Sequence, residues 1–354
     1  MSRLFSTLRI RGLEFRNRIG VSPMCQYSSV DGLPNDWHFV HLGSRAVGGA
    51  GFIIQEATAV SPEGRISPDD AGLWNDAQTE AWHRITGFVH AYGCRIGVQL
   101  GHAGRKASTY SPWKGTGEVK KEDGGWDVVA PSPLAFTEGY PQPREMTREA
   151  IQQVTDDFAA AARRAIDAGY DFLELHMAHG YLIHQFLSPL SNGRSDEYGG
   201  SLENRCRFAL GIARAVRAVI PDAMPLFARV SCTDWVEGGW DCDQTVILAR
   251  MLKEEGVDLI DASSGGNAAK ASIPVGAGYQ TEFAEKIRRE TGLMTAAVGM
   301  ITTAEQAETI VRTGQGDVVL LAREILRDPY WPLHAAKALR ADVPWPDQYL
   351  RAKS

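Results

Sequence analysis

The chain has 354 residues, of which 44% are hydrophobic and 23% are charged, as is usual for globular proteins. This composition excludes fibrous, collagen-like and wholly disordered chains. With 37 basic and 43 acidic residues the formal net charge is −6, which does not favour a nucleic-acid partner.

Eight short apolar runs bounded by Gly, Pro or Asp are typical of buried parallel strands. They are Ile19–Pro23, Gly51–Ala57, Arg95–Leu100, Phe172–His176, Leu226–Val230, Asp258–Ala262, Thr295–Gly299 and Val318–Ala322. Most connections between them have the periodicity of helices. The predicted helices include Thr147–Ala168, Leu202–Val219, Asp243–Glu255, Thr281–Glu290 and Thr303–Thr313.

The alternation of strand and helix over the whole chain predicts a parallel sheet, and eight such units can close into a (β/α)₈ TIM barrel. An open doubly wound sheet is the alternative. Because no G-x-G-x-x-G motif follows the first strand, the usual reason to prefer the open sheet is missing. We therefore predict an α/β protein in which residues 1–354 form a single barrel domain.

The stretch 106–145, after the third strand, is rich in Gly, Pro and Trp and is too long for an ordinary connection. Loops of this length in barrels commonly cover a site, and the tryptophans favour a packed segment. We expect this excursion to cap the barrel.

The N-terminal residues, the lengths of the apolar runs and the cysteines are relevant to cellular location. The first fifteen residues lack the apolar core of a signal peptide, and no run of about 18 apolar residues occurs. The five cysteines are an odd number, and no two are two or three residues apart, which favours neither a disulfide scaffold nor a zinc site. We expect a cytoplasmic protein without membrane contact.

Polar residues that follow the strands are the candidates for a site, because barrel active sites lie at the carboxyl ends of strands. His176 and His179, three residues apart after the fourth strand, can donate hydrogen bonds to one oxygen, and Tyr181 could deliver a proton. Alternatively they bind a metal, with His38 or His41 in reserve, or are structural. Carbonyl or nitro polarisation is the favoured interpretation.

Other strand ends carry further candidates. A buried Arg229 requires an anion, either a protein carboxylate or an electron-rich cofactor. Gln99 could read the edge of a heterocycle. Gly299 and Arg323 follow the last two strands, where many barrels bind phosphate, although Gly299 could be a simple turn. A lone cysteine at a strand end, such as Cys25, is more often a small core residue than a reactive group.

Four motifs resemble those of the Old Yellow Enzyme family, in its bacterial ene-reductase and xenobiotic-reductase branch. They are SPMCQYS at 22–28, QLGHAGRK at 99–106, the block HMAHGYLIHQFLSPLSNGRSDEYGGSLENR at 176–205, and AREILRDP at 322–329. The resemblance spans nearly the whole chain. It implies a TIM barrel that binds FMN non-covalently, is reduced by NADPH or NADH, and reduces activated C=C bonds.

The resemblance also assigns roles to single residues. FMN contacts are implied for Ser22, Pro23, Met24, Cys25, Ala57, Gln99, Arg229, Gly299, Ala322 and Arg323. Cys25 would tune the flavin, and Ala322 stands where the family usually has glycine. His176 and His179 would bind the substrate oxygen and Tyr181 would protonate the α-carbon.

The resemblance further implies substrate and subunit contacts. Tyr27 would contact substrate oxygen, and Arg351 in DQYLR would reach a neighbouring subunit's site, so that residues 345–354 lie at an interface of a homodimer or homotetramer. The implied substrates are enones, quinones and nitro compounds, with no metal. A metal-dependent hydrolase or lyase and a non-catalytic flavin-binding protein are the alternative functions.

Overall fold

Eight parallel strands form a closed barrel in a computed structural model that describes residues 2–353. They are β3 (Ile19–Val21), β4 (Phe52–Ala59), β5 (Arg95–Gly101), β8 (Phe172–Met177), β9 (Leu226–Ser231), β10 (Leu259–Ser263), β11 (Met294–Val298) and β12 (Val318–Leu321). Each strand pairs with the next, and β12 pairs with β3 to close the barrel. The predicted TIM barrel is confirmed, and the open sheet is excluded.

Two further pairs of short strands lie outside the barrel. They are β1 (Leu8–Ile10) with β2 (Leu13–Phe15), and β6 (Val129–Ala130) with β7 (Arg144–Glu145).

Helices connect the strands and cover the outside of the barrel. They are α1 (Asp36–Val47), α2 (Asp76–Ala91), α3 (Arg148–Asp167), α4 (Leu182–Leu187), α5 (Leu202–Arg217), α6 (Cys242–Glu254), α7 (Thr281–Thr291), α8 (Ala304–Thr313), α9 (Arg323–Arg327) and α10 (Trp331–Ala338). The five predicted helices correspond to α3, α5, α6, α7 and α8 within two residues at each end. Several begin at side-chain caps that the sequence supplies; Thr147, for example, accepts a hydrogen bond from the backbone of Ala150.

Aromatic side chains close the amino-terminal end of the barrel. Phe15, at the end of β2, packs edge-on against Phe52 and Phe172, with ring centroids 5.1 and 5.7 Å apart, respectively. Phe172 in turn lies 4.7 Å from Phe227. Because these rings fill one end, a ligand can enter the barrel only from the other, where the strands have their carboxyl ends.

Strand glycines make room for these rings. A Cβ atom at Gly97 in β5 would lie 2.3 Å from the Phe172 ring, and one at Gly20 in β3 would lie 2.4 Å from the Phe52 ring. These two glycines are therefore required by the packing of the rings at the closed end of the barrel.

The segment 106–145 leaves the carboxyl end of β5 and packs over neighbouring loops. The Trp126 indole donates to the Glu63 carbonyl at 2.9 Å, and Ser111 donates to Asp69 at the same distance. Trp113 lies edge-on to Tyr27 with ring centroids 5.7 Å apart. The excursion thus contacts the loops that follow β3 and β4, on the side of the barrel where the strands end.

Replacing Gly97 by Ala should lower the free energy of unfolding by about 1–3 kcal/mol, because the new methyl group overpacks the Phe172 ring. Urea denaturation followed by circular dichroism measures this change. The control is Gly87→Ala in α2, where an added Cβ meets no atom within 4 Å. Because alanine favours the helix, this change should raise the free energy of unfolding by about 0.5–1 kcal/mol. Equal stability of Gly97→Ala and the native chain would contradict the packing argument.

Candidate functional site

Two clefts lie at the carboxyl ends of the strands, and the predicted residues are divided between them. A cavity of about 300 Å³ lies at the ends of β10, β11 and β12. Five of the predicted site residues line this cavity, namely His179, Arg229, Gly299, Ala322 and Arg323. A second, smaller cleft is lined by Ala57, His176 and Tyr181, together with Asp70 and His102.

Gly299 directly follows β11 and lines the 300 Å³ cavity. Its φ angle of +123° is one that residues with side chains rarely adopt. An added Cβ would also lie 3.0 Å from the amide of Gln280. This glycine is therefore required by backbone conformation, and its place in the cavity wall is compatible with close approach of a ligand.

Ala322 and Arg323 follow β12 at the same cavity. The φ angle of Ala322 is −111°, so alanine can stand where the family usually has glycine. Arg323 is exposed and begins α9. Its guanidinium is free to approach an anion in the cavity.

The segment after β3 lies beside an irregularity in β4. Ser22 is buried, Met24 and Cys25 are half-buried, and the pairing of β4 with β5 shifts register between Gln55 and Ala57. Burial, followed by the charges of Asp70 and Glu56, raises the pKa of the Cys25 thiol well above its ordinary value. Cys25 is therefore a neutral thiol at neutral pH.

Glu56, at the irregularity, holds the segment that carries Cys25 and Tyr27. Its carboxylate accepts a hydrogen bond from the backbone N–H of Gln26 at 2.7 Å and lies 3.4 Å from Nε2 of His38. Tyr27 has a φ angle of +46°. Burial raises the pKa of Tyr27.

His176, His179 and Tyr181 form a cluster at the end of β8. The His176 ring lies 5.2 Å from the His179 ring and 4.9 Å from the Tyr181 ring, centroid to centroid. Nε2 of His179 is 2.7 Å from Oγ of Ser263, and its backbone N–H donates to Ser231 at 2.9 Å. These bonds hold His179 although its φ angle of +60° is uncommon for a residue with a side chain.

The environment sets the protonation of this cluster. Burial, followed by the charge of Arg229, lowers the pKa of His176 and of His179 well below the ordinary value. Burial raises the pKa of Tyr181 well above its ordinary value. At neutral pH the site therefore has two uncharged imidazoles, each with an N–H donor, and a protonated phenol.

Arg229 and Gln99 lie in the barrel wall near the cluster, and Arg229 on β9 stands directly beside His176 on β8. Nε of Arg229 is 3.1 Å from Oδ2 of Asp261, and its Nη1 donates to Ser22 at 3.1 Å. The amide nitrogen of Gln99 donates to Glu174 at 2.8 Å. Arg229 thus has the carboxylate partner that its burial requires, and it also borders the cavity.

Some residues at the strand ends were not identified from the sequence. Ser263 and Ser264 close β10 and line the cavity, and they could have been found by applying the strand-end rule to the sixth run. Lys106 belongs to a basic group that the motif contained; its Nζ donates to the carbonyls of His179 and Gly266 at 2.9 and 3.0 Å. No sequence signal indicated that contact.

Arg351 is not brought to this site in its own chain. It lies exposed on a 3₁₀ helix, Asp347–Ala352, whose first residues border a pocket with Ala91 and Tyr92 at the end of α2. That pocket is at the opposite end of the barrel, where β5 begins. A role for Arg351 in catalysis requires a second subunit.

The structure does not bring His38 or His41 to His176 and His179. His38 instead bonds Asn35 and lies beside Glu56. Within residues 2–353, no group of three or more His, Cys, Asp or Glu side chains is arranged to hold a metal ion. In the same described part of the chain, no helix is both long and apolar enough to cross a membrane.

The strand ends fit FMN. Nδ1 of His176 and Oε2 of Glu174 are buried and have no hydrogen-bond partner within residues 2–353. Two guanidinium groups, those of Arg229 and Arg323, line the cavity and could meet a charged ligand there, and the amide of Gln99 is buried in the barrel wall nearby. Buried polar atoms of this kind require a polar ligand.

Comparisons with known proteins agree with this fit. Residues 3–342 match the model of the NADH:flavin oxidoreductase / NADH oxidase family. An NADPH dehydrogenase of Geobacillus thermodenitrificans (strain NG80-2) is 47% identical over 350 residues, covering 98% of each chain.

Two solved structures are similar. Morphinone reductase in complex with tetrahydroNAD has a TM-score of 0.77 and 29% identity, over 97% of this chain and 92% of its own. The old yellow enzyme homologue of Zymomonas mobilis has a TM-score of 0.78 and 27% identity, over 97% and 94%. The chain therefore belongs to the NADH:flavin oxidoreductase / NADH oxidase family and is an FMN-dependent oxidoreductase of the Old Yellow Enzyme type that uses a nicotinamide cofactor.

Proposed function

We propose that this enzyme is an NADPH-dependent ene-reductase that reduces the activated C=C bond of α,β-unsaturated carbonyl or nitro compounds. The observation that carries the proposal is the cluster of two neutral imidazoles and a protonated phenol beside the cavity. FMN, held at this site and reduced by the nicotinamide, would supply the hydride for the β-carbon of such a substrate.

His176 and His179 bind the substrate's carbonyl or nitro oxygen. Because their pKa values are lowered, both remain uncharged and donate hydrogen bonds without giving up a proton. Negative charge develops on this oxygen as the β-carbon accepts hydride, so hydrogen bonds to it stabilise the transition state more than the ground state. Ser263 fixes the direction of the His179 ring through its 2.7 Å contact.

Tyr181 donates the proton to the α-carbon. Its raised pKa keeps the hydroxyl protonated at neutral pH. The ammonium of Lys106 lies 5.1 Å from the centre of the Tyr181 ring, where a cation favours the more electron-rich ring that forms when the proton leaves. Tyr27 contacts substrate oxygen in this proposal.

Three groups of residues hold the cofactor in this proposal. Ser22, Pro23, Met24, Cys25 and Ala57 border the ring, Gln99 and Arg229 meet its polar edge, and Gly299, Ala322 and Arg323 bind the phosphate. Two observations support this proposal. Arg229, Gly299, Ala322 and Arg323 line the same cavity, and Arg229 forms an ion pair with Asp261.

The function is tested by stopped-flow reoxidation of the NADPH-reduced enzyme with a panel of enones, maleimides, quinones and nitroalkenes. We expect rapid reoxidation by several members and a reduced C=C bond in the product. An enzyme that NADPH reduces but that none of these compounds reoxidises would overturn the ene-reductase proposal.

Tyr181→Phe should slow reoxidation by 2-cyclohexenone by about 10²-fold or more, because the α-carbon loses its proton donor. Reduction of the flavin by NADPH, measured in the same instrument, should keep its native rate. The matched control is Tyr92→Phe, at the other end of the barrel. Equal losses in both half-reactions of Tyr181→Phe would contradict the assigned role.

Replacing both His176 and His179 by Ala should weaken binding of a phenol such as 4-hydroxybenzaldehyde by about tenfold or more, since its phenolate oxygen mimics the enolate-like oxygen of the transition state. Titration of the flavin absorbance with the phenol measures this affinity. His83→Ala, an exposed change on α2, serves as the control. Native phenol affinity in the double variant would refute the placement of the substrate oxygen.

Cys25→Ala should shift the reduction potential of the bound flavin without abolishing turnover, because a neutral thiol beside the ring is lost. Reduction in the presence of a reference dye measures the potential. Cys242→Ala removes another half-buried thiol, at the start of α6, and should leave the potential unchanged. The same potential in all three proteins would show that Cys25 does not tune the flavin.

Arg351 is proposed to reach the site of a neighbouring subunit in a homodimer or homotetramer. Its exposed position, remote from its own site, supports this arrangement. Arg351→Ala should raise KM for the oxidising substrate and leave flavin reduction unchanged. A fully active monomer in analytical ultracentrifugation would contradict the shared site.

A further inference from the structure

Four neighbouring strands place two adjacent pairs of buried polar side chains in the barrel wall. Gln99 on β5 stands directly beside Glu174 on β8, and Arg229 on β9 stands directly beside Asp261 on β10. Glu174 and Asp261 have no solvent exposure. The sequence motifs assign neither carboxyl group a function.

Glu174 determines how Gln99 can meet a ligand. An oxygen of Glu174 accepts the 2.8 Å hydrogen bond from the amide nitrogen of Gln99. The amide oxygen of Gln99 is therefore the atom left for the cavity. A flavin ring has one N–H donor at its polar edge, at N3, and an amide oxygen is the acceptor that suits it.

Asp261 determines how Arg229 can meet a ligand. Its Oδ2 lies 3.1 Å from Nε of the guanidinium in an ion pair without hydrogen-bond geometry, and Ser22 accepts a hydrogen bond from Nη1 at 3.1 Å. The remaining N–H groups are left for the cavity that Arg229 lines. A guanidinium held in this way loses little side-chain entropy when a ligand binds.

The charges of these four side chains do not balance if both carboxyls are ionised. Arg229 is the one cation among the four side chains, and His176, two residues beyond Glu174, is uncharged. Burial raises the pKa of Asp261 to about 6, and burial followed by the charge of Asp261 raises the pKa of Glu174 further above its ordinary value. Beside Arg229, Asp261 is therefore the carboxyl that ionises more readily, and Glu174 is the one that more readily keeps its proton.

We propose that Glu174 and Asp261 are positioning residues for the flavin ring: Glu174 turns the carbonyl of Gln99 toward N3–H, and Asp261 holds Arg229 and offsets its charge. This inference rests on the FMN site described above. It predicts effects on the cofactor that can be measured without substrate turnover.

The first experiment measures the dissociation constants of FMN and N3-methyl-FMN from the apoprotein by quenching of flavin fluorescence. The native protein should bind N3-methyl-FMN at least about tenfold more weakly, because the N–H donor is lost. In Glu174→Leu this ratio should fall toward one, since the Gln99 amide is no longer held. Glu174→Gln, whose carbonyl can still accept the bond, should restore the native ratio.

The second experiment measures the reduction potential of bound FMN in Asp261→Asn. Reduced flavin carries negative charge, so loss of the Asp261 charge should favour it over oxidised flavin by about tenfold, or about 30 mV for a two-electron couple. The difference from the native protein should shrink as pH falls through about 6, where Asp261 itself becomes neutral. Glu174→Gln should leave the potential unchanged.

Thr295→Val is the control for both experiments. It removes a buried hydroxyl of the barrel wall that has no hydrogen-bond partner within residues 2–353, and it should alter neither quantity. An unchanged ratio in Glu174→Leu together with an unchanged potential in Asp261→Asn would overturn the proposal. If Glu174→Leu does not fold, Glu174→Met takes its place in the first experiment, and Asp261→Asn tests the role of Asp261 separately. A native apoprotein that does not bind FMN would instead refute the cofactor site.

Discussion

The charge of Arg229 in the barrel wall is the constraint on which the site depends. A buried guanidinium must be compensated, and Asp261 on the adjacent strand pairs with it at 3.1 Å. The same charge lowers the pKa values of His176 and His179, after the effect of burial. The charge of Arg229 on β9 thus affects the protonation of the buried carboxyls Glu174 and Asp261 and of the two imidazoles.

The closed barrel places these groups within reach of one another. Parallel strands have all their carboxyl ends on one side, and the aromatic cluster of Phe15, Phe52, Phe172 and Phe227 closes the other. The imidazoles follow β8 through a loop in which His179 has a left-handed backbone conformation. Lys106 bonds the His179 carbonyl and Ser231 bonds its N–H, so the uncommon conformation is held from both sides.

Much of the fold followed from local patterns. The apolar runs that predicted strands are fully or nearly fully buried in the barrel, and capping residues such as Thr147 stand where helices were expected to begin. The strand-end rule found His176, Gln99, Arg229 and Gly299 because each follows or closes an apolar run. Ser263 was accessible to the same rule, whereas Lys106 was not, since its contact depends on a loop 73 residues away.

The sequence by itself determined the order of strands and helices, because periodicity and capping are local properties of the chain. It also indicated which residue types would stand at the strand ends. Only the tertiary structure decided which of them share a wall: the register that sets Glu174 beside Gln99 and Asp261 beside Arg229 joins different strands. Protonation was likewise decided there, because desolvation and the distance between charges exist only once the barrel has closed.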